Sequence, residues 1–324
     1  MKLRIGLGRY DRTQALIDGR IGVEGHDAVF ESPPLEELFA AAFDTDRYDA
    51  AEISFSNFLY LSATDRCRFV GLPIFPSRMF RHSAIFVRTD RGIRAPRDLI
   101  GKVVGVREFS MTAALVARGV LEDDYGVRAA DIDWRCGPAD RADAKPVIRV
   151  WPRGVRVTEV EEGRNLSDLL AAGELDAMVA YKPPKAFLEG APHIARLFPD
   201  PRRVEQDYYA RTGIFPIMHL IGIRRELAED AALCRAVCDA FQKAKNEAID
   251  AIGAYQALSV SLAWAPADLD AVKTLMGTDY WPYGIAANAA AIDSVSRYSY
   301  LQGLAPRQMS VEELFASGSL GWAP

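Results

Sequence analysis

Short apolar runs alternate with longer stretches of helical spacing along the first 190 residues. Leu3 to Leu7, Phe69 to Ile74, Ala84 to Val87, Lys102 to Val106 and Leu220 to Ile223 read as buried strands. Leu35 to Phe43, Met111 to Tyr125 and Leu166 to Ala172 carry the helical period. Two units echo one another. After Leu3 to Leu7 the chain turns through Gly8 to Arg12 into a helix around Thr13 to Ile17; after Lys102 to Val106 it turns through Arg107 to Ser110 into the next helix. The helix Leu35 to Phe43 leads into the run Tyr48 to Ile53, and Leu166 to Ala172 ends at Gly173 before Leu175 to Ala180. A glycine just past a helix end, followed by a short apolar run, marks a helix-to-strand transition. Strands alternating with helices predict parallel sheets in an α/β fold.

Further strands are expected at Val147 to Trp151 and Val155 to Val160. From Glu226 the pattern turns helical, with the stripe Leu233, Val237, Phe241, Ala244, Ala248 and Ile252, a break at Tyr280 to Gly284, and a last helix over Ile285 to Leu301. The repeated units predict two lobes, residues 1–86 with 219–324 and residues 87–218, joined by two crossing strands. In such folds ligands bind where strand C-termini meet a cleft. The loops Gly8 to Arg12, Ser54 to Asn57, Glu108 to Met111 and Tyr181 to Lys185 are expected there. Crossing strands that lie side by side would bring His82 and His219 into that cleft.

Composition narrows the field. A net charge of −5 gives no reason to expect nucleic acid or an anionic membrane, and no apolar run is long enough to span a bilayer. Met1 to Leu7 reads as a first strand and not as a signal peptide, and Cys67, Cys136, Cys234 and Cys238 are scattered, so a cytoplasmic protein is expected. Cys234 and Cys238 share the helical stripe above and read as packing. Gly6-Leu7-Gly8 lacks the third glycine of a dinucleotide loop, and neither a phosphate-loop lysine nor a serine elbow is present.

The chemistry concentrates in two stretches, Phe75-Pro76-Ser77-Arg78-Met79-Phe80-Arg81-His82-Ser83 and Arg211-Thr212-Gly213-Ile214-Phe215-Pro216-Ile217-Met218-His219, each next to an apolar run. Buried arginines need anionic partners, because an unpaired desolvated charge is costly. Arg78 and Arg81 either pair internally, with Asp11 or Glu52, or clamp a dicarboxylate ligand, since guanidinium matches carboxylate bidentately. His82 and His219 are candidate acid–base groups. With Glu52 or Asp11 they could also hold a divalent metal, although no short-spaced ligand motif is present. The loop Gly8 to Thr13 and Ser110-Met111-Thr112 both precede helix N-termini, which favour anions, but helix capping explains them almost as well.

Tyr10-Asp11-Arg12-Thr13, the two long stretches, Met111-Thr112-Ala113-Ala114 and Trp281-Pro282-Tyr283-Gly284 together resemble the 4,5-dihydroxyphthalate decarboxylase family. The resemblance runs from about residue 3 to residue 316. It implies a type II periplasmic-binding-protein-like fold and decarboxylation of a hydroxylated aromatic dicarboxylic acid, without an organic cofactor and with a divalent metal possible. A homo-oligomer acting on a small aromatic acid is expected. His82, His219 and Glu52 are the expected catalytic residues. Arg78, Arg81, Tyr10, Asp11, Arg12, Ser54, Thr112, Lys182 and Tyr283 are the expected substrate contacts. Less typical are the basic excursion Arg141 to Arg156 and the loop Tyr181 to Lys185. Two rivals stand beside this reading: a non-catalytic binding protein for an aromatic or dicarboxylic acid, and a decarboxylase of another hydroxylated aromatic or heterocyclic acid.

Overall fold

A computed structural model describes residues 2–140, 148–254, 256 and 258–324. Two sheets carry the fold. The first contains β1 (Leu3–Gly6), β2 (Ala28–Glu31), β3 (Ala50–Ser54), β4 (Phe69–Arg78) and β11 (Ile217–Arg224), in the order β2-β1-β3-β11-β4. The second contains β5 (Ile85–Arg88), β6 (Val103–Val106), β7 (Asp133–Cys136), β8 (Val157–Glu159), β9 (Ala177–Val179) and β10 (Ile194–Arg196), in the order β10-β5-β9-β6-β7-β8. Parallel pairs β1–β2, β1–β3, β6–β7 and β6–β9 follow from helical crossovers; β7–β8 is also parallel, whereas β11 runs antiparallel to β3 and β4.

The chain leaves the first sheet after Arg78 and returns at Ile217. The lobe boundaries read at 86/87 and 218/219 therefore fall inside β5 and β11. Their apolar runs belong wholly to one sheet each, and the polar residues before them make the passage between lobes. The strand expected at Val147 to Trp151 begins outside the described residues, and residues 148–151 form no strand.

Pro73 and Pro76 lie within β4, which is tolerated because β4 is an edge strand and a proline has no N–H to donate. That edge is covered: the Pro73 carbonyl accepts from Gly284 N–H at 2.8 Å and the Gly71 carbonyl from Ala316 N–H at 2.9 Å. Pairing with β11 is irregular on both sides of His219, whose cross-strand partners are Ser77 on β4 and Ser54 on β3. Such bulges re-aim side chains and recur beside functional sites.

The helix Thr112–Tyr125 follows β6 of the second sheet but packs on the helices Phe55–Ala63 and Ala289–Leu301 of the other lobe. The contact is tight at Gly119, where a Cβ would stand 2.3 Å from the Tyr298 ring. Beside it the Gln302 side chain accepts from Arg118 Nε at 2.7 Å and donates to the Leu115 carbonyl at 3.0 Å. This helix locks the lobes together and sets the floor of the cleft. Gly119→Ala should destabilise the protein by about 1–3 kcal/mol through overpacking, read as a lowered denaturant midpoint; an unchanged midpoint would mean that the lobes do not depend on this contact.

Candidate active site

The cleft between the lobes has a volume of about 310 Å³, at the lower end for small-molecule sites. Each of the four expected loops reaches it: Tyr10 after β1, Ser54 and Asn57 after β3, Glu108 and Met111 after β6, and Tyr181 after β9. Leu35, Phe39, Met79, Met111, Ala113 and Met218 give it apolar walls, the right surface for an aromatic ring.

Its polar centre is built on Glu52. The side chain is fully buried on β3, and a carboxylate there must be paired or heavily hydrogen-bonded. Oε1 meets His219 Nδ1 at 2.6 Å and accepts from Tyr10 OH at 2.7 Å; Oε2 accepts from Gly8 N–H at 2.7 Å. Burial pushes the Glu52 carboxyl up, but these three donors and the His219 charge prevail and hold it below the ordinary carboxylate value. Tyr10 is correspondingly raised, by burial first and then by the Glu52 charge. A Cβ at Gly8 would come 2.7 Å from the Tyr10 ring, so only glycine lets the ring fold back over this loop. The guanidinium of Arg12 backs the tyrosine: it lies 4.4 Å from the Tyr10 ring centre and 4.0 Å from that of Trp281, and its Nε donates to the Pro76 carbonyl at 2.6 Å.

With Nδ1 on Glu52, the other ring nitrogen of His219, Nε2, is left to the cleft. Phe39 braces the imidazole edge-on, with ring centres 4.9 Å apart. Ser54 and Ser77, the cross-strand partners of His219, also line the cleft and put a hydroxyl on either side of it. Ser54 Oγ lies 3.0 Å from Thr112 Oγ1, which accepts from Ser56 N–H at 3.1 Å.

Two guanidiniums face this centre. Arg81 is 8% exposed, and its Nε donates to the Met218 sulfur at 3.1 Å. Among the described residues no carboxylate pairs with it, and burial lowers it to about 10 against a weak opposing pull from Glu205. A thioether can orient a guanidinium without neutralising it. Arg107 differs. Its Nη1 meets Glu36 at 2.5 Å and donates to Tyr181 OH at 3.3 Å, while Nε lies 3.7 Å from Glu108. Burial works to lower Arg107, but the Glu36 and Glu108 charges hold it above its ordinary value. The Arg107–Glu36 pair ties the second lobe to the first at the cleft.

Several expected site residues lie elsewhere. His82 does not line the cleft: both ring nitrogens are buried without partners, between Phe198 and Tyr208 at ring-centre distances of 5.4 and 5.2 Å. Arg78 points away, donating to the carbonyls of Phe215 at 3.0 Å and Pro282 at 2.6 Å and to Asn288 Oδ1, which makes it a tie between distant segments. Burial lowers it to about 9. Asp11 is drawn outward, pairing with Arg12 at 2.9 Å, and Lys182 pairs with Asp140 at 3.2 Å; neither lines the cleft. Tyr283 is fully buried behind it, with the Lys245 ammonium 5.0 Å from its ring centre. The metal set His82, His219 and Glu52 is not assembled, because His82 is elsewhere and the other two bond to one another; among the described residues no group of three metal-ligating side chains converges. Arg107, Asn57 and Tyr181 went unassigned in the sequence, although the turn Arg107 to Ser110 and the loops after β3 and β9 contain them.

These features define a class: an α/β protein of two lobes whose interlobe cleft combines an acid–base pair with unneutralised cationic charge. No family model matches the chain. Over 322 residues, 99% of this chain and 98% of the relative, it is 39% identical to a 4,5-dihydroxyphthalate decarboxylase of Comamonas testosteroni. A 4,5-dihydroxyphthalate decarboxylase of Pseudomonas putida is 37% identical over 210 residues, 64% of this chain and 81% of that one. Among solved structures, the periplasmic aliphatic sulphonate binding protein SsuA of Escherichia coli superposes with a TM-score of 0.55 at 15% identity, covering 100% of this chain and 92% of that chain. The desulfurization enzyme DSZB superposes with a TM-score of 0.52 at 14% identity, covering 98% and 97%. The fold is thus that of the type II periplasmic binding proteins. The chain belongs to the 4,5-dihydroxyphthalate decarboxylase family, whose chemistry is that of a carbon–carbon lyase.

The burial of His82 has a consequence for stability. Desolvation first, and the Arg211 charge second, lower its pKa from 6.5 to about 4. Between those values the unfolded chain takes up a proton that the folded one refuses, so this residue makes stability fall as pH drops from 6.5 towards 4. His82→Phe should flatten that slope, by about 3 kcal/mol across the window, and should leave turnover in place. Melting temperatures of both proteins at a series of pH values decide this; parallel profiles would show that His82 does not set the slope.

Proposed function

We propose that the cleft converts 4,5-dihydroxyphthalate to 3,4-dihydroxybenzoate and carbon dioxide, with His219 as proton donor, Glu52 as its anchor and Arg81 as the principal carboxylate-binding group. Losing carbon dioxide directly from an aromatic ring would leave an aryl carbanion. Protonating the ipso carbon first avoids this, because the hydroxyl para to the departing carboxylate can become a ketone as its proton leaves. The carbon–carbon bond then breaks, its electron pair returns to the ring, and the resulting phenolate regains a proton. One proton is consumed per turnover, and the position left by the carboxylate carries hydrogen.

The observation that carries this reading is the opening of the Glu52–His219 pair into the same cleft as a buried guanidinium with no carboxylate of its own. Glu52 fixes Nδ1 as the protonated nitrogen and so leaves Nε2 to deliver a proton to the ring. Tyr10 and Gly8 hold the carboxylate still. Arg81 grips the carboxylate that stays, so binding energy at that remote group supports the chemical step. A small aromatic acid is the partner this site suits. The four free cysteines suit a reducing, cytoplasmic setting.

His219→Ala should lower turnover by about 10²- to 10⁴-fold while substrate affinity stays within a few-fold. In deuterated water the wild-type product should carry one deuterium at the vacated ring carbon. A His219→Ala protein at the wild-type rate would remove His219 from the chemistry. Tight binding of the acid by the wild-type protein without carbon dioxide release, with and without added divalent metal, would establish the binding-protein alternative instead.

A further inference from the structure

Asn57 stands in the first turn of the helix Phe55–Ala63, lines the cleft and is 2% exposed, yet its Oδ1 is buried without a hydrogen-bond partner. An orphaned buried amide oxygen costs about 1–3 kcal/mol, and such groups are rare enough to need a reason. No residue among those described supplies a partner. The missing partner is a donor, and Asn57 lines the cleft, the space open to a ligand.

The two kinds of polar group on the proposed substrate differ in what they offer. A carboxylate only accepts, so it would leave Oδ1 unpaired and suits Arg81. A phenolic hydroxyl donates. We infer that Asn57 is a specificity-determining residue that accepts a hydrogen bond from a ring hydroxyl of the substrate, and so separates hydroxylated from unsubstituted aromatic dicarboxylates. This rests on the decarboxylase reading of the cleft and extends it to the opposite chemistry of the ligand. A site built to pair with a hydroxyl discriminates against the analogue that lacks it, because the buried oxygen then stays unsatisfied.

The test compares the affinities of 4,5-dihydroxyphthalate and phthalate, by calorimetry under conditions too brief for turnover, for the wild-type protein and Asn57→Ala. The wild type should prefer the hydroxylated acid by about tenfold or more. Asn57→Ala should bring the two affinities within about threefold by weakening the hydroxylated acid alone. Asn57→Ser, a smaller residue that keeps an acceptor, should fall between them and serves if alanine impairs folding. Equal weakening of both acids would place Asn57 at the carboxylates and overturn the inference, as would full retention of the preference. A wild-type protein that releases carbon dioxide while Asn57→Ala keeps its preference sinks this inference alone; a wild-type protein that binds neither acid sinks the decarboxylase reading with it.

Discussion

A carboxylate with no access to water organises this site. Glu52 lies in the middle of the first sheet, where a charge survives only if enough donors surround it. The fold supplies them from three directions: a backbone N–H from the loop after β1, a phenol from the same loop, and an imidazole from the antiparallel strand β11. Each donor has its own support. Gly8 must lack a side chain, Tyr10 rests on Arg12, and Arg12 lies against Trp281. Removing any of these loosens the carboxylate, and the imidazole loses its orientation with it.

The cations in the cleft divide their work. Arg107 is engaged with carboxylates of both lobes and helps hold the cleft together. Arg81 is held by a thioether, so its charge is directed by the protein but left for a ligand to satisfy. The contrast explains why a site lined largely by apolar side chains still suits an anionic ring. The apolar walls also strengthen every charge interaction inside by excluding water.

Much of this could be read from the chain. The apolar periods located most of the strands, though not β2, β7 or β10, and the strand C-termini located the four loops that meet at the cleft, because both follow from local rules. Of the residues named from the sequence, Tyr10, Ser54, Arg81, Thr112 and His219 line the cleft, and Glu52 stands behind His219. His82 and Arg78 were not separable from Arg81 by sequence. All three lie in one irregular segment, and the direction of each side chain is set by partners far along the chain: Arg78 meets Phe215 and Asn288, separated from it by 137 and 210 positions. The prolines of β4 were the available sign of irregular pairing around His219, and an asparagine without a partner can be recognised only once its surroundings exist.

The most direct measurement is the nitrogen-15 spectrum of the imidazole rings, with the His219 signals assigned by their loss in His219→Ala. The account requires a proton on Nδ1 of His219 in its hydrogen bond to Glu52, with Nε2 as the nitrogen that exchanges its proton with ligand or solvent. A wild-type spectrum in which Nδ1 is bare and Nε2 alone carries the proton would contradict it.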